Sequence, residues 1–129
     1  MSQIYRLVKQ ARMIKTDDFS SVFNFRKRIS MQYLAIHYQP NLHQRARLGL
    51  VVSKKIAKLA VNRNYMRRLL REFFRTQQHD ICHVDLIVRV QKKFTRVEFI
   101  LIKQEFDDLI GKINQRVLVT TKTKAQFID

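Results

Sequence analysis

The sequence predicts a single α/β (α+β) domain, a two-layer sandwich in which a small mixed sheet carries about three helices. Three observations predict it. Residues 32–38 (QYLAIHY), 47–54 (RLGLVVSK) and 84–91 (VDLIVRVQ) are short, apolar and rich in β-branched or aromatic side chains, as strands are. Across 61–78 and 95–112 the apolar residues instead recur every three or four positions, the period of one helix face. The 129 residues suit one core, and with only two glycines and one proline no linker or repeat divides them.

The elements follow in the order α-β-β-(β)-α-β-α within one domain spanning 1–129. Residues 1–15 are mixed and basic and read as an arm. Thr16 is placed to cap a first helix whose opening acids, Asp17 and Asp18, suit the positive end of the helix dipole. Phe19, Val22 and Phe23 share one stripe of that helix. After the strand at 32–38, Pro40 and Asn41 open a polar loop containing His43 and Gln44. The strand at 47–54 encloses Gly49, and residues 55–60 read as a turn.

In the helix over 61–78, Met66, Leu69, Leu70, Phe73 and Phe74 form the inward stripe. Residues 79–83 break the period before the strand at 84–91. Thr95-Arg96-Val97-Glu98 is a capping box, in which two side chains satisfy the free N–H groups of a helix start. That last helix runs to about Lys112 with Phe99, Ile102, Phe106, Leu109, Ile110 and Ile113 facing inward. Glu105, Asp107 and Asp108 are expected on its outer face. Residues 114–129, polar apart from Val117–Val119, are expected to form a flexible tail.

Charge narrows the function. Twenty-six Lys and Arg against ten Asp and Glu give a formal +16. Self-repulsion on that scale opposes compaction, and a polyanionic partner offsets it. A membrane surface is disfavoured as that partner. No apolar run approaches the roughly 20 residues that span a bilayer, and the N-terminus has no block resembling a secretory signal. One cysteine, Cys82, cannot form an internal disulfide and fits a reducing compartment. These readings point to a cytosolic protein that binds nucleic acid.

The charge concentrates in residues 54–75, which hold eight basic side chains and one acid, Glu72. On a helix, Asn64, Arg68, Arg71 and Arg75 share a face, with Arg63 and Arg67 beside them. A solvated helix face ordinarily mixes signs. A one-sign face dominated by arginine suits phosphates, because the planar guanidinium matches two oxygens at once.

The run "RLGLVVSKKIAKLAVNRNYMRRLLREFFR", residues 47–75, resembles the signature of the bacterial ribonuclease P protein family. In that signature a strand ending in Ser-Lys-Lys leads into an Arg-Asn-Arg helix with a basic pair and Arg-Glu after it. The resemblance extends upstream to "DDFSSVF" and downstream to "VDLIVRV", covering roughly residues 12–113. Three positions depart from it. Tyr65 stands where the triplet has its third residue, arginine. Ala57 replaces the usual glycine before the triplet, and Arg26 the usual glycine after the first helix. The two lost glycines suggest turns whose conformation tolerates a Cβ.

The resemblance implies the family's sandwich fold with a left-handed parallel crossover around the basic helix, where general rules favour a right-handed one. It implies a protein subunit of ribonuclease P that assists a catalytic RNA in removing the 5′ leader of precursor tRNA. The catalytic Mg2+ would be held mainly by the RNA, with no catalytic or metal-binding residue in this chain. No obligate protein partner is implied. Lys54, Lys55, Arg63, Asn64, Arg67, Arg68 and Arg71 match the surface that binds the RNA subunit. Phe19 and Phe23 match a cleft that holds the leader, with the strand position falling on Ile36 or His37 and His37 taken as the candidate. Aromatic faces stack on bases with little sequence preference while cations track phosphates. From spacing alone, an aromatic pair four apart on a helix is more often core than platform; the resemblance reverses that order.

Other constellations carry less. "HDICH" at 79–83 offers His79, Cys82 and His83, but a structural zinc site takes four ligands, commonly in two spaced pairs, and no second pair exists. The alternative reading of the whole chain is another structured-RNA-binding protein of ribosomal type, without a processing role.

Overall fold

Among the described residues three α-helices and four strands succeed one another: α1 (Thr16–Phe25), β1 (Arg28–Ser30), β2 (Leu34–Pro40), β3 (Arg47–Val51), α2 (Ala60–Gln77), β4 (Val84–Val90) and α3 (Phe99–Ile128). The computed structural model describes residues 12, 16–41 and 45–128. The basic arm before Thr16, apart from Arg12, and the loop residues His43 and Gln44 lie outside them. Arg12 makes an isolated parallel bridge to Leu48 on β3.

The sheet is mixed, in the order β1-β2-β4-β3. β1 with β2 and β2 with β4 are antiparallel, whereas β3 and β4 run parallel. Parallel neighbours need a crossover, and α2 provides it, leaving the end of β3 and returning to the start of β4.

Alternation along the strands sorts their side chains by face. Leu34, Ile36 and Tyr38 of β2, Leu48 of β3, and Leu86, Val88 and Val90 of β4 join one core. Met66, Leu70, Phe73 and Phe74 of α2, and Ile102, Phe106, Leu109, Ile110 and Ile113 of α3, complete it. Sheet against α2 and α3 is the expected sandwich. The opposite face carries a second, smaller cluster in which Val22 of α1 meets Ile87, with Phe19 and Val51 packed against it.

The helix ends follow the sequence closely, with informative exceptions. The capping box forms as expected: Thr95 accepts from Val97 N–H at 3.3 Å, and Glu98 accepts from Thr95 N–H at 2.9 Å. It opens a 3₁₀ turn (Arg96–Glu98) that leads into α3. α1 begins at Thr16 itself, one residue earlier than the capping reading, within the usual latitude of helix ends.

Four expectations are corrected. α3 does not stop near Lys112; the helix continues to Ile128. Ile113 and Val117 prolong its apolar stripe onto the core, and Asn114 ties it down. The Asn114 side chain donates to the Asp80 carbonyl at 3.0 Å and accepts from Cys82 N–H at 2.9 Å. Phe99, expected inside, is 44% exposed, because the 3₁₀ entry turns it to the rim, where its ring meets Phe73 edge-on at 5.6 Å. Glu105, expected outside with Asp107 and Asp108, is buried and accepts from Tyr33 N–H at 3.0 Å, so it satisfies a main-chain donor where β2 begins. Arg26 does not relax into a Cβ-tolerant conformation. It holds φ 64, the left-handed region that favours glycine, as its N–H closes the end of α1 onto the Phe23 carbonyl at 3.2 Å. Ala57, the other lost glycine, has no positive φ and is buried.

Candidate nucleic-acid interface

α2 is held by its apolar stripe, which leaves its other side outward. Asn64, Arg68 and Arg71 are exposed there. The acid that could have neutralised them is engaged elsewhere: Glu72 pairs with Arg75, one turn on, whose guanidinium holds its carboxyl below the ordinary range. Among the described residues Arg68 and Arg71 have no carboxylate partner. At the entry, Lys54, Lys55 and Lys58 are exposed, and the first turn of α2 contains no acid. The partial positive charge of the helix start therefore adds to the lysines.

Not every arginine of the motif is free to meet a ligand. Arg63 is half-buried and turns back, donating to the Ala57 and Lys58 carbonyls at 2.9 and 2.8 Å. Its guanidinium thereby ties the turn before α2 to the helix, whose N-cap residue, Leu59, has no side-chain acceptor to offer. Arg67 is half-buried and lies against the Val52 carbonyl at 3.5 Å. The seven expected residues thus divide into an outward set (Lys54, Lys55, Asn64, Arg68, Arg71) and an inward pair that shapes the turn.

Tyr65 takes a third role. It is half-buried against the core, its ring 6.5 Å from Phe94, and the Arg96 guanidinium lies 5.8 Å over its centroid. An aromatic at this position extends the apolar stripe and draws in a cation from a distant loop.

The second surface lies where α1 crosses the sheet. Phe19 is half-buried directly over Gly49, so close that a Cβ there would come within 2.7 Å of its ring. Glycine leaves room for that approach, and any Cβ would have to displace the ring. Phe23, one turn on, is 38% exposed and meets His37 edge-on at 4.7 Å. The open choice on β2 is decided by alternation: Ile36 is fully buried in the opposite core, and His37 is on the α1 side with Phe23. The three expected cleft residues are therefore brought together, Phe19 as floor and Phe23 with His37 as wall.

Charge in the cleft is uneven. Arg47 of β3 is bound by Asp85 through two hydrogen bonds and approached by Asp18 at 3.5 Å, which raises its pKa above the ordinary value. Among the described residues, Arg28, paired with His37 across β1 and β2, and Arg89 of β4 have no such carboxylate. Burial, then Arg89, then Arg28, push the His37 pKa down, and its Nε2 is buried without a hydrogen-bond partner. The sequence reading missed Arg28 and Arg89, although the second left a signal. A lone cation inside the apolar strand VDLIVRV falls, by period two, on the same face as Asp85 and Ile87.

With both surfaces in place, comparison with known proteins is informative. The family model described as Ribonuclease P matches residues 7–114, most of the chain. The chain belongs to the ribonuclease P protein family. It is 47% identical over 92 residues to the ribonuclease P protein component of Chromobacterium violaceum, covering 71% of this chain and 76% of that one. It is 42% identical over 110 residues to the component of an Azoarcus species, covering 85% and 92%. Among solved structures, the RNase P protein from Thermotoga maritima superimposes with a TM-score of 0.72 at 30% identity, covering 79% of this chain and 96% of that one. In this member of the family, three helices and a four-stranded mixed sheet hold the outward α2 arginines and the aromatic cleft on a common frame.

The remaining polar constellation is apart from both surfaces. His79, Cys82 and His83 line a pocket of ≈560 Å³ with Asn41, Asp80 and Asn114, and burial raises the Cys82 thiol pKa. Among the described residues no three His, Cys, Asp or Glu side chains are grouped so as to hold a metal. Nor is any described helix long and apolar enough to cross a membrane.

Proposed function

We propose that this chain is the protein subunit of a bacterial ribonuclease P, acting in the cytoplasm on precursor tRNA. The exposed arginine face of α2, on which Arg68 and Arg71 have no carboxylate partner among the described residues, carries the reading in a chain of this family. Lys54, Lys55, Asn64, Arg68 and Arg71 bind the catalytic RNA through its phosphates. Arg63 and Arg67 brace the turn that presents them. The cleft of Phe19, Phe23 and His37 receives the single-stranded 5′ leader, whose bases stack on aromatic faces.

Magnesium held by the RNA supplies the activated water and the charge stabilisation for phosphodiester hydrolysis, leaving a 5′-phosphate on the tRNA. This chain's part is to bind and orient. Its cations lower the repulsion between the leader and RNA backbones, so the complex tolerates lower magnesium.

Reconstitution tests this. Cleavage of precursor tRNA at low magnesium is expected only when both protein and RNA subunit are present. Cleavage by the protein alone would overturn the reading, as would RNA activity that the protein leaves unchanged. A ribosomal-type RNA binder would fall in the second group.

A further inference from the structure

The strand register lays the α1 side of the sheet out in rows. Arg28, His37, Ile87 and Gly49 form one row across β1, β2, β4 and β3. Ser30, Ala35, Arg89 and Val51 form the next. α1 sits over the first of these, with Phe19 on Gly49, Val22 against Ile87 and Phe23 against His37. In the second row the half-buried Arg89 follows two short side chains, the exposed Ser30 and the fully buried Ala35. Val51 ends β3, and Val52, Ser53, Lys54 and Lys55 follow it.

The described residues place two carboxylates on this side, Asp18 and Asp85, and Arg47 engages both. Among the described side chains, Arg28, Arg89 and His37 are left as three neighbouring basic groups with no acid paired to them. Holding the half-buried Arg89 near the exposed Arg28 costs free energy by repulsion and by the desolvation of Arg89. An anion bridging Arg28 and Arg89 would remove that cost, and the exposed edge of Phe23 beside it offers a stacking surface.

We propose that Arg28 and Arg89 form a phosphate site on the α1 face of the sheet, binding the backbone of a single-stranded RNA whose neighbouring base stacks on Phe23. The strand then continues past Val51 to Lys54 and Lys55, which joins the cleft to the entry of the basic helix. This rests on the leader-cleft reading and names the phosphate contacts that the reading lacks. His37 stays neutral and holds Phe23 in place between the two arginines.

The test uses the reconstituted holoenzyme with precursor tRNA, mature tRNA as control, and the variants Arg89→Gln, Arg28→Gln, Arg89→Lys and Arg68→Gln. Arg89→Gln is expected to weaken precursor binding about tenfold and to lower the log–log salt slope by about 1, with mature tRNA unaffected. Arg28→Gln behaves alike. Arg89→Lys keeps the slope and recovers part of the affinity. A single methylphosphonate in the leader, at the contacted phosphate, costs the parent protein affinity but leaves Arg89→Gln unchanged. Thermal melting of each variant reports folding separately.

Precursor affinity and slope unchanged in both arginine variants would overturn the site, as would equal loss for mature tRNA. If Arg68→Gln weakens assembly while Arg89→Gln changes nothing, the phosphate site alone fails. If neither has any effect, the subunit reading fails with it.

Discussion

Arg47 and Asp85 face each other across the parallel β3–β4 pair, and their side chains close a two-pronged ion pair, Nε to Oδ1 at 2.7 Å and Nη2 to Oδ2 at 2.6 Å. Both side chains are nearly buried, 12% and 9% exposed. The pair also gathers its surroundings. Asn41 donates to Asp85 at 2.7 Å from the loop after β2, and Asp18 of α1 reaches Arg47 at 3.5 Å. One node thereby fixes the register of the parallel strands and the seat of α1, on which the cleft depends.

Asp85→Asn should therefore destabilise the protein by about 3 kcal/mol, because it strands a nearly buried guanidinium, whereas the double variant Arg47→Met with Asp85→Leu should cost less. Urea unfolding of the three proteins measures both. Equal losses for the single and double variants would show that the pair contributes only packing.

A second prediction concerns the turn after α1. An arginine at φ 64 carries roughly 1–2 kcal/mol of steric cost that glycine lacks. Glycine in turn gives the unfolded chain more freedom, which takes back about 0.5–1 kcal/mol. Arg26→Gly should then stabilise by a few tenths to about 1 kcal/mol, and Arg26→Ala should not. Thermal unfolding distinguishes them; a loss on Arg26→Gly would show that the side chain contributes more than its backbone costs.

Much of this architecture was legible in the sequence because period and chemistry agree. The α2 stripe of Met66, Leu70, Phe73 and Phe74 and the capping box at Thr95 are local patterns, and the structure keeps them. The arginine-rich face was legible for the same reason. Three features depend on contacts made outside their own element, and no local pattern encodes them. Glu105 reads as one more exposed acid until Tyr33, 72 residues away, supplies a donor. Arg63 reads as a phosphate ligand until the carbonyls of the preceding turn claim it. Ile36 and His37 are equally apt neighbours of Phe23 until the strand's alternation is fixed by its partners. Tyr65 was conspicuous from the start, yet the Arg96 guanidinium that stacks on it comes from the loop before α3.

The division among the motif arginines yields a third prediction. Arg63→Ala should lower stability by about 1–2 kcal/mol, since two carbonyls at the start of α2 lose a charged donor. Arg68→Ala removes an exposed cation and should leave stability within about 0.5 kcal/mol. For RNA binding the order reverses: Arg68→Ala lowers the salt slope for the RNA subunit by about 1, and folded Arg63→Ala keeps it. Urea melts and salt-dependent binding, read together, check the assignment. A slope lost in both variants would return Arg63 to the interface.

The fourth prediction is a pH dependence centred on His37. Its ordinary pKa of 6.5 is lowered in the folded protein by burial, then by Arg89, then by Arg28. Phe23 of α1 packs against the ring and carries no charge of its own. As pH falls through about 6.5 the unfolded chain takes up the proton first, so the equilibrium shifts toward unfolding. Stability from this group is thus complete above 6.5, declines as pH drops toward the folded pKa, and levels off below it. His37→Phe should flatten that part of the urea-midpoint profile. Arg89→Gln should shrink it, because one repelling charge is gone and the folded pKa moves back toward its ordinary value. Proton NMR of the His37 ring gives the titration directly. A midpoint at or above 6.5 in the parent protein would refute the mechanism, and a profile unchanged by His37→Phe would assign the slope to another group.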